Sequence, residues 1–148
     1  MTCLNVPPVP EAVSAARRWA APLLPADVRD PVVLVVSELV TNAIAADAAA
    51  GAIEDIEVEL VVDPAGLHVT LAVTDASNAP LPRTPTAAPV DQDCGRGLAL
   101  LDALADDYGW TRRTRGGKCV WALFRCAQGR QQCPDSPSER LECTHACA

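Results

Sequence analysis

The segment from Pro31 to Ala46, PVVLVVSELVTNAIAA, limits what this chain can become more than any other stretch. Between Asp30 and Asp47 its only charge is Glu38, and apart from Ser37, Thr41 and Asn42 every neighbour is apolar or proline. A carboxylate in such a run costs several kcal/mol to bury unless it has a partner or a chemical task. Val32, Val33, Val35 and Val36 are β-branched and favour a strand. The apolar run nevertheless continues through Leu39, Val40, Ala43, Ile44, Ala45 and Ala48, which is too long for a buried strand and predicts a helix over roughly residues 30–49. Asp30 is the expected N-cap, Pro31 the first helical residue and Gly51 the stop. On that helix Glu38 and Asn42 are four apart, so they share one face and converge on one point in space.

The remaining sequence provides a single domain around this helix. A chain of 148 residues with 49% hydrophobic content can bury a core of its own, built from Val, Leu and Ala because aromatic residues are few. A formal net charge of −7 argues against nucleic-acid binding, which normally shows a basic stripe. No run reaches the roughly 20 uninterrupted apolar residues of a membrane span, and MTCLNVPPVPEA lacks a basic segment followed by an apolar one. A cytoplasmic protein is expected. Seven cysteines without CxxC spacing signal neither a disulfide framework nor a zinc site.

Pro10 to Leu24 places Val13, Ala16, Trp19, Ala20 and Leu23 at helical spacing and predicts an amphipathic helix that covers a sheet. The sheet itself is announced by DIEVELVV, where Ile56, Val58, Leu60 and Val62 alternate with acids. It returns after Asp63–Gly66 in LHVTLAVTD, where Leu67, Val69, Leu71 and Val73 alternate with His68, Thr70, Ala72 and Thr74. This is an antiparallel hairpin with one dry face. Asp75 continues the apolar parity and so points to the covered side, although an acid at a strand end is also commonly a turn residue.

Residues 76–94 carry four prolines and no periodicity, which suits a functional lid or a disordered loop. They lead into GRGLALLDALADDYGW, where Gly95 and Gly97 are expected immediately before a helix start and would let backbone N–H groups approach an anion. YGWTRRTRGGKCVWALFRC reads as a second hairpin around Gly116 and Gly117, with Val120, Ala122 and Phe124 alternating with Cys119, Trp121 and Leu123. The domain is expected over residues 1–126, and 127–148 reads as a disordered tail whose Cys143, His145 and Cys147 fall short of a four-ligand zinc site.

SELVTNA, VTDASNAP, GRGLALL and GGKCVWALF, in this order, together resemble the histidine-kinase-like ATPase superfamily with its Bergerat nucleotide site. Within it they are similar to the bacterial anti-sigma-factor serine kinases. The resemblance covers roughly residues 10–125. It implies an α+β two-layer sandwich, a largely antiparallel sheet covered on one face by helices. It also implies ATP and Mg²⁺ as cofactors. Asn42 would be the Mg²⁺ ligand, and Glu38 the general base toward a serine hydroxyl of a partner protein or the residue orienting a water. Asp75 would accept a hydrogen bond from the adenine amino group. Gly95 and Gly97 would let Arg96, Leu98 and their backbone amides wrap the phosphates, with residues 79–94 as the lid. Cys119 stands near where a Thr usually reaches adenine, Ser77 takes a glycine position, Ala46 replaces a frequent His, and Asp93 stands where some members carry an Arg.

By the same resemblance the partners would be a sigma factor and an anti-anti-sigma protein, with no nucleic acid and no membrane. A homodimer is left open, although the polar stripe Asp55, Glu57 and Glu59 argues against a dry interface there. Two other readings stand beside the kinase. One is a nucleotide-gated binding module that sequesters a partner without phosphotransfer. The other is an α+β domain in which Glu38 and Asn42 form a buried hydrogen-bonded pair.

Overall fold

The computed structural model describes residues 1–78 and 94–128, with 94–98 as backbone only. The elements run β1 (Thr2–Val6), α1 (Glu11–Ala20), α2 (Arg29–Ala50), β2 (Ile56–Val62), β3 (His68–Asp75), α3 (Cys94–Leu104), β4 (Asp107–Arg112) and β5 (Lys118–Arg125). The strands form one sheet in the order β1-β2-β3-β5-β4, antiparallel at every pairing. The described helices lie on one face, so the fold is the expected α+β two-layer sandwich.

Strand alternation decides the layers. Ile56, Val58 and Leu60 of β2, Val69, Leu71 and Val73 of β3, and Val120, Ala122 and Phe124 of β5 are all buried beneath the helices. The opposite parity carries Glu57, Glu59, Thr70, Thr74, Cys119 and Trp121 on the other face. The second hairpin turns at Gly116 and Gly117 as the sequence implies. β1 was not legible as a strand. It is an edge strand in which only Val6 is buried, and it is held by its ladder to β2 rather than by an apolar face.

The central helix is slightly longer than expected. It buries Val32, Val35, Val36, Leu39, Val40 and Ala43 against the sheet and α1, and it ends at Gly51 in the left-handed conformation (φ 67°). Asp30 is not its N-cap: Val28 holds that position without a side-chain cap, and Asp30 sits inside the first turn, where its charge suits the helix dipole. The turn from Pro25 to Val28 runs directly into the helix and starts it early (Val28 N to Pro25 O, 3.2 Å). By length and apolar content this helix is enough to cross a membrane, but its apolar side is spent on the core of this domain.

α1 presents Ala12, Ala16 and Ala20 inward, small residues one turn apart that let it lie close to α2. Val13 and Trp19 are half-buried and Leu23 is exposed, so the dry stripe is rotated from the expected one. Arg29 fastens the connection, donating from Nε to Ala21 O (3.0 Å) and from Nη2 to Leu24 O (3.0 Å). The expected lid lies outside the described residues except for position 94, as does the tail except for positions 127 and 128. There Ala127 N donates to Asp27 Oδ2 (2.6 Å).

Candidate functional site

The polar residues of α2 divide into two groups. Ser37 Oγ donates back to Val33 O (3.2 Å) and Thr41 Oγ1 to Ser37 O (2.7 Å), so both hydroxyls are satisfied by their own helix. Glu38 and Asn42 are half-buried on the helix flank, and among the described residues neither side chain is held by a hydrogen bond. They do not form the closed pair that a purely structural role requires. The same flank continues through Ala46, Ala49 and Ala50. These line a cleft of about 600 Å³ bounded on its other sides by Gly51–Glu54 and by Ala76, Ser77 and Asn78.

At the end of β3 the structure brings together three charged groups. Asp75 is 5% exposed and Lys118, its cross-strand partner, 4%. Lys118 Nζ lies 3.0 Å from Asp75 Oδ2 and donates to Oδ1 at 3.2 Å, while Ser77 N donates to the same Oδ1 at 2.9 Å. Asp47 of α2 completes the group. It is 0% exposed, and its Oδ1 accepts Ala76 N (3.0 Å), whereas its Oδ2 has no hydrogen-bond partner among the described residues. Burial pushes both carboxyls above the ordinary aspartate range; Lys118 opposes this at each, and Asp75 adds to it at Asp47.

Backbone geometry makes this packing possible. Gly117 has φ 84°, and a Cβ there would stand 2.1 Å from Asp75 O, so only glycine lets β5 start against the end of β3. Asn78 locks the approach by accepting Gly117 N on Oδ1 (2.9 Å).

Among the residues singled out from sequence, Glu38 and Asn42 share the α2 flank, and Asp75 points to the helical side as its parity predicts. Gly95, Arg96, Gly97 and Leu98 lie within the first turns of α3 rather than before it, and α3 is anchored beside α2 by the buried Leu101. Cys119 does not join them: it pairs with Thr74 and faces the opposite side of the sheet, and Lys118 takes the place beside Asp75. The signal was present, because Lys118 has the parity of Val120, Ala122 and Phe124. Asp47 was also missed. It lies nine residues after Glu38, half a turn round the helix, and therefore faces the sheet rather than the flank.

The donor set fits a magnesium nucleotide in part. Asn42 offers a hard oxygen on an accessible flank, and the cleft has the volume of a small-ligand site. Asp75, in contrast, has both oxygens engaged by Lys118.

Similarity to known proteins agrees with this architecture. The crystal structure of a SiaB–SiaC complex from Pseudomonas aeruginosa contains a chain that superposes with a TM-score of 0.57 at 16% identity, covering 84% of this chain and 89% of that one. At that identity the likeness is one of fold. No curated protein matches the sequence. The family model of the histidine kinase-like ATPase domain matches residues 6–124. With that match spanning the sheet, the α2 flank and the Asp75 corner, the chain belongs to the histidine kinase-like ATPase domain family, and ATP binding is its family trait.

Proposed function

We propose that this protein is an ATP-dependent regulator that phosphorylates a serine on a partner protein, the partner being an anti-anti-sigma protein and the regulated target a sigma factor in the cytoplasm. The observation that carries the proposal is the placing of Glu38 and Asn42 together on the α2 flank: both are half-buried and neither is held by the described residues. In this reading the α2 flank and the neighbouring cleft receive Mg-ATP, which supplies the phosphoryl group. Asn42 holds the Mg²⁺. Glu38 accepts the proton of the attacking serine hydroxyl, and the amides of Gly95, Arg96, Gly97 and Leu98 at the start of α3 line the phosphate side. Asp75 reads the base. The protein–protein assembly of the SiaB–SiaC complex supports a partner protein in general terms.

The test is phosphate transfer from labelled Mg-ATP to candidate partners. Glu38→Ala should abolish transfer while leaving ATP affinity within about twofold of the parent protein, and Asn42→Ala should abolish the magnesium dependence of binding. Undiminished transfer by Glu38→Ala would remove the role given to that residue. Tight ATP binding with no transfer to any partner would favour a nucleotide-gated binding module instead.

A further inference from the structure

Asp75 and Lys118 together present a problem for any ligand that uses Asp75. The ammonium spans both carboxylate oxygens at 3.0 and 3.2 Å, Ser77 N occupies Oδ1 as well, and the pair is closed to solvent. A base that takes the place of the ammonium on this carboxylate must displace Lys118. A displaced ammonium in the same buried corner needs another anion, because an unpaired charge there is strongly unfavourable.

The described residues hold such an anion at Asp47. Asp47 is fully buried, its Oδ1 accepts the N–H of Ala76, the residue directly after Asp75, and its Oδ2 is without a partner among the described residues. A buried carboxylate oxygen without a donor is rare enough to require an explanation. Lys118 already acts on Asp47 electrostatically. Its ammonium has three donors on a flexible four-carbon stem and can be re-aimed without moving the strand. Two carboxylates and one ammonium therefore share the corner, with one carboxylate oxygen left unfilled.

We propose that Lys118 gates nucleotide binding: it sits on Asp75 until a base claims that carboxylate, and then moves to Oδ2 of Asp47. The gate rests on the reading of Asp75 as the residue that recognises the base. Asp47 is a positioning residue in this scheme, acting through Lys118 and not through the nucleotide. Charge is conserved in the exchange, since each state pairs one carboxylate with the ammonium: with Lys118 on Asp75, Asp47 keeps only the N–H of Ala76, and with Lys118 on Asp47, Asp75 keeps the N–H of Ser77 and gains the base.

The full chain tests this by calorimetric titration with Mg-ATP, together with the melting temperature without nucleotide. Asp47→Asn keeps the acceptor for Ala76 N but removes the destination charge. It should weaken ATP binding at least tenfold while the protein melts no lower than the parent. Lys118→Met should bind ATP at least tenfold more tightly than the parent, and adding Asp47→Asn to it should then change the affinity by less than twofold. A parental affinity for Asp47→Asn would overturn the gate, as would an Asp47→Asn penalty that persists once Lys118 is gone. Should Lys118→Met not fold, the Asp47→Asn comparison decides alone. Absence of ATP binding by the parent and every variant overturns the nucleotide reading itself and the gate with it, a result distinct from binding that ignores Asp47.

Discussion

At the scale of single residues, the Asp75 corner combines an expensive electrostatic arrangement with a strict steric one. Burial raises the Asp47 carboxyl above its ordinary value, so the folded state holds the proton more tightly than the unfolded chain does. The contribution of Asp47 to stability is therefore most favourable at low pH and is lost as pH rises through its folded value. Replacing it with Asn, which carries no charge to bury, should raise the melting temperature at pH 7.5. That gain should shrink toward pH 4, and calorimetry across the range checks it; a gain that grows on acidification contradicts the assignment. Gly117→Ala meets Asp75 O and an unfavourable backbone at once. It should lower stability by roughly 3 kcal/mol or more, read as a fall in the urea midpoint at unchanged slope.

At the scale of elements, α2 is the axis of the molecule, and its sequence encodes two functions on two sides. Val32, Val35, Val36, Leu39, Val40 and Ala43 face the sheet and α1, while Glu38 and Asn42 remain accessible. α3 depends on fewer contacts. Leu101 is its one fully buried described side chain (1% exposed), so Leu101→Ala should destabilise the domain by about 2–5 kcal/mol. Amide exchange should accelerate first in α3, since Leu100 and Leu104 are only half-buried and Ala99 and Ala103 are exposed. Uniform acceleration across α2 and the sheet instead would show that α3 is not a separate unit. The β2–β3 hairpin was legible because its alternation is strict. β1 was not, because an edge strand is specified by a neighbour's unpaired backbone and carries little pattern of its own.

At the scale of the whole molecule, the α2 flank, the cleft and the start of α3 belong to one helical layer, so ligand binding there should stabilise the entire domain. Mg-ATP at 100 times its Kd adds about 2.7 kcal/mol, which is a melting shift of roughly 5–11 °C for a domain of this size. A thermal melt with and without Mg-ATP measures it, and an unchanged melting temperature at saturating concentration contradicts a nucleotide site. The sequence alone determined the central helix, both hairpins, the covered face of β2 and β3 and the placing of Glu38 and Asn42 on one helix face. Local periodicity and spacing carry that information. Only the tertiary structure decided what faces Asp75. That pairing depends on the register between β3 and β5, strands separated in the chain by α3 and β4, and on the half-turn that aims Asp47 at the sheet. Cross-strand register brings Lys118 to the corner and sends Cys119 to the far side. An ion pair between residues 43 positions apart is a property of the assembled sheet, because no local preference of either residue selects the other.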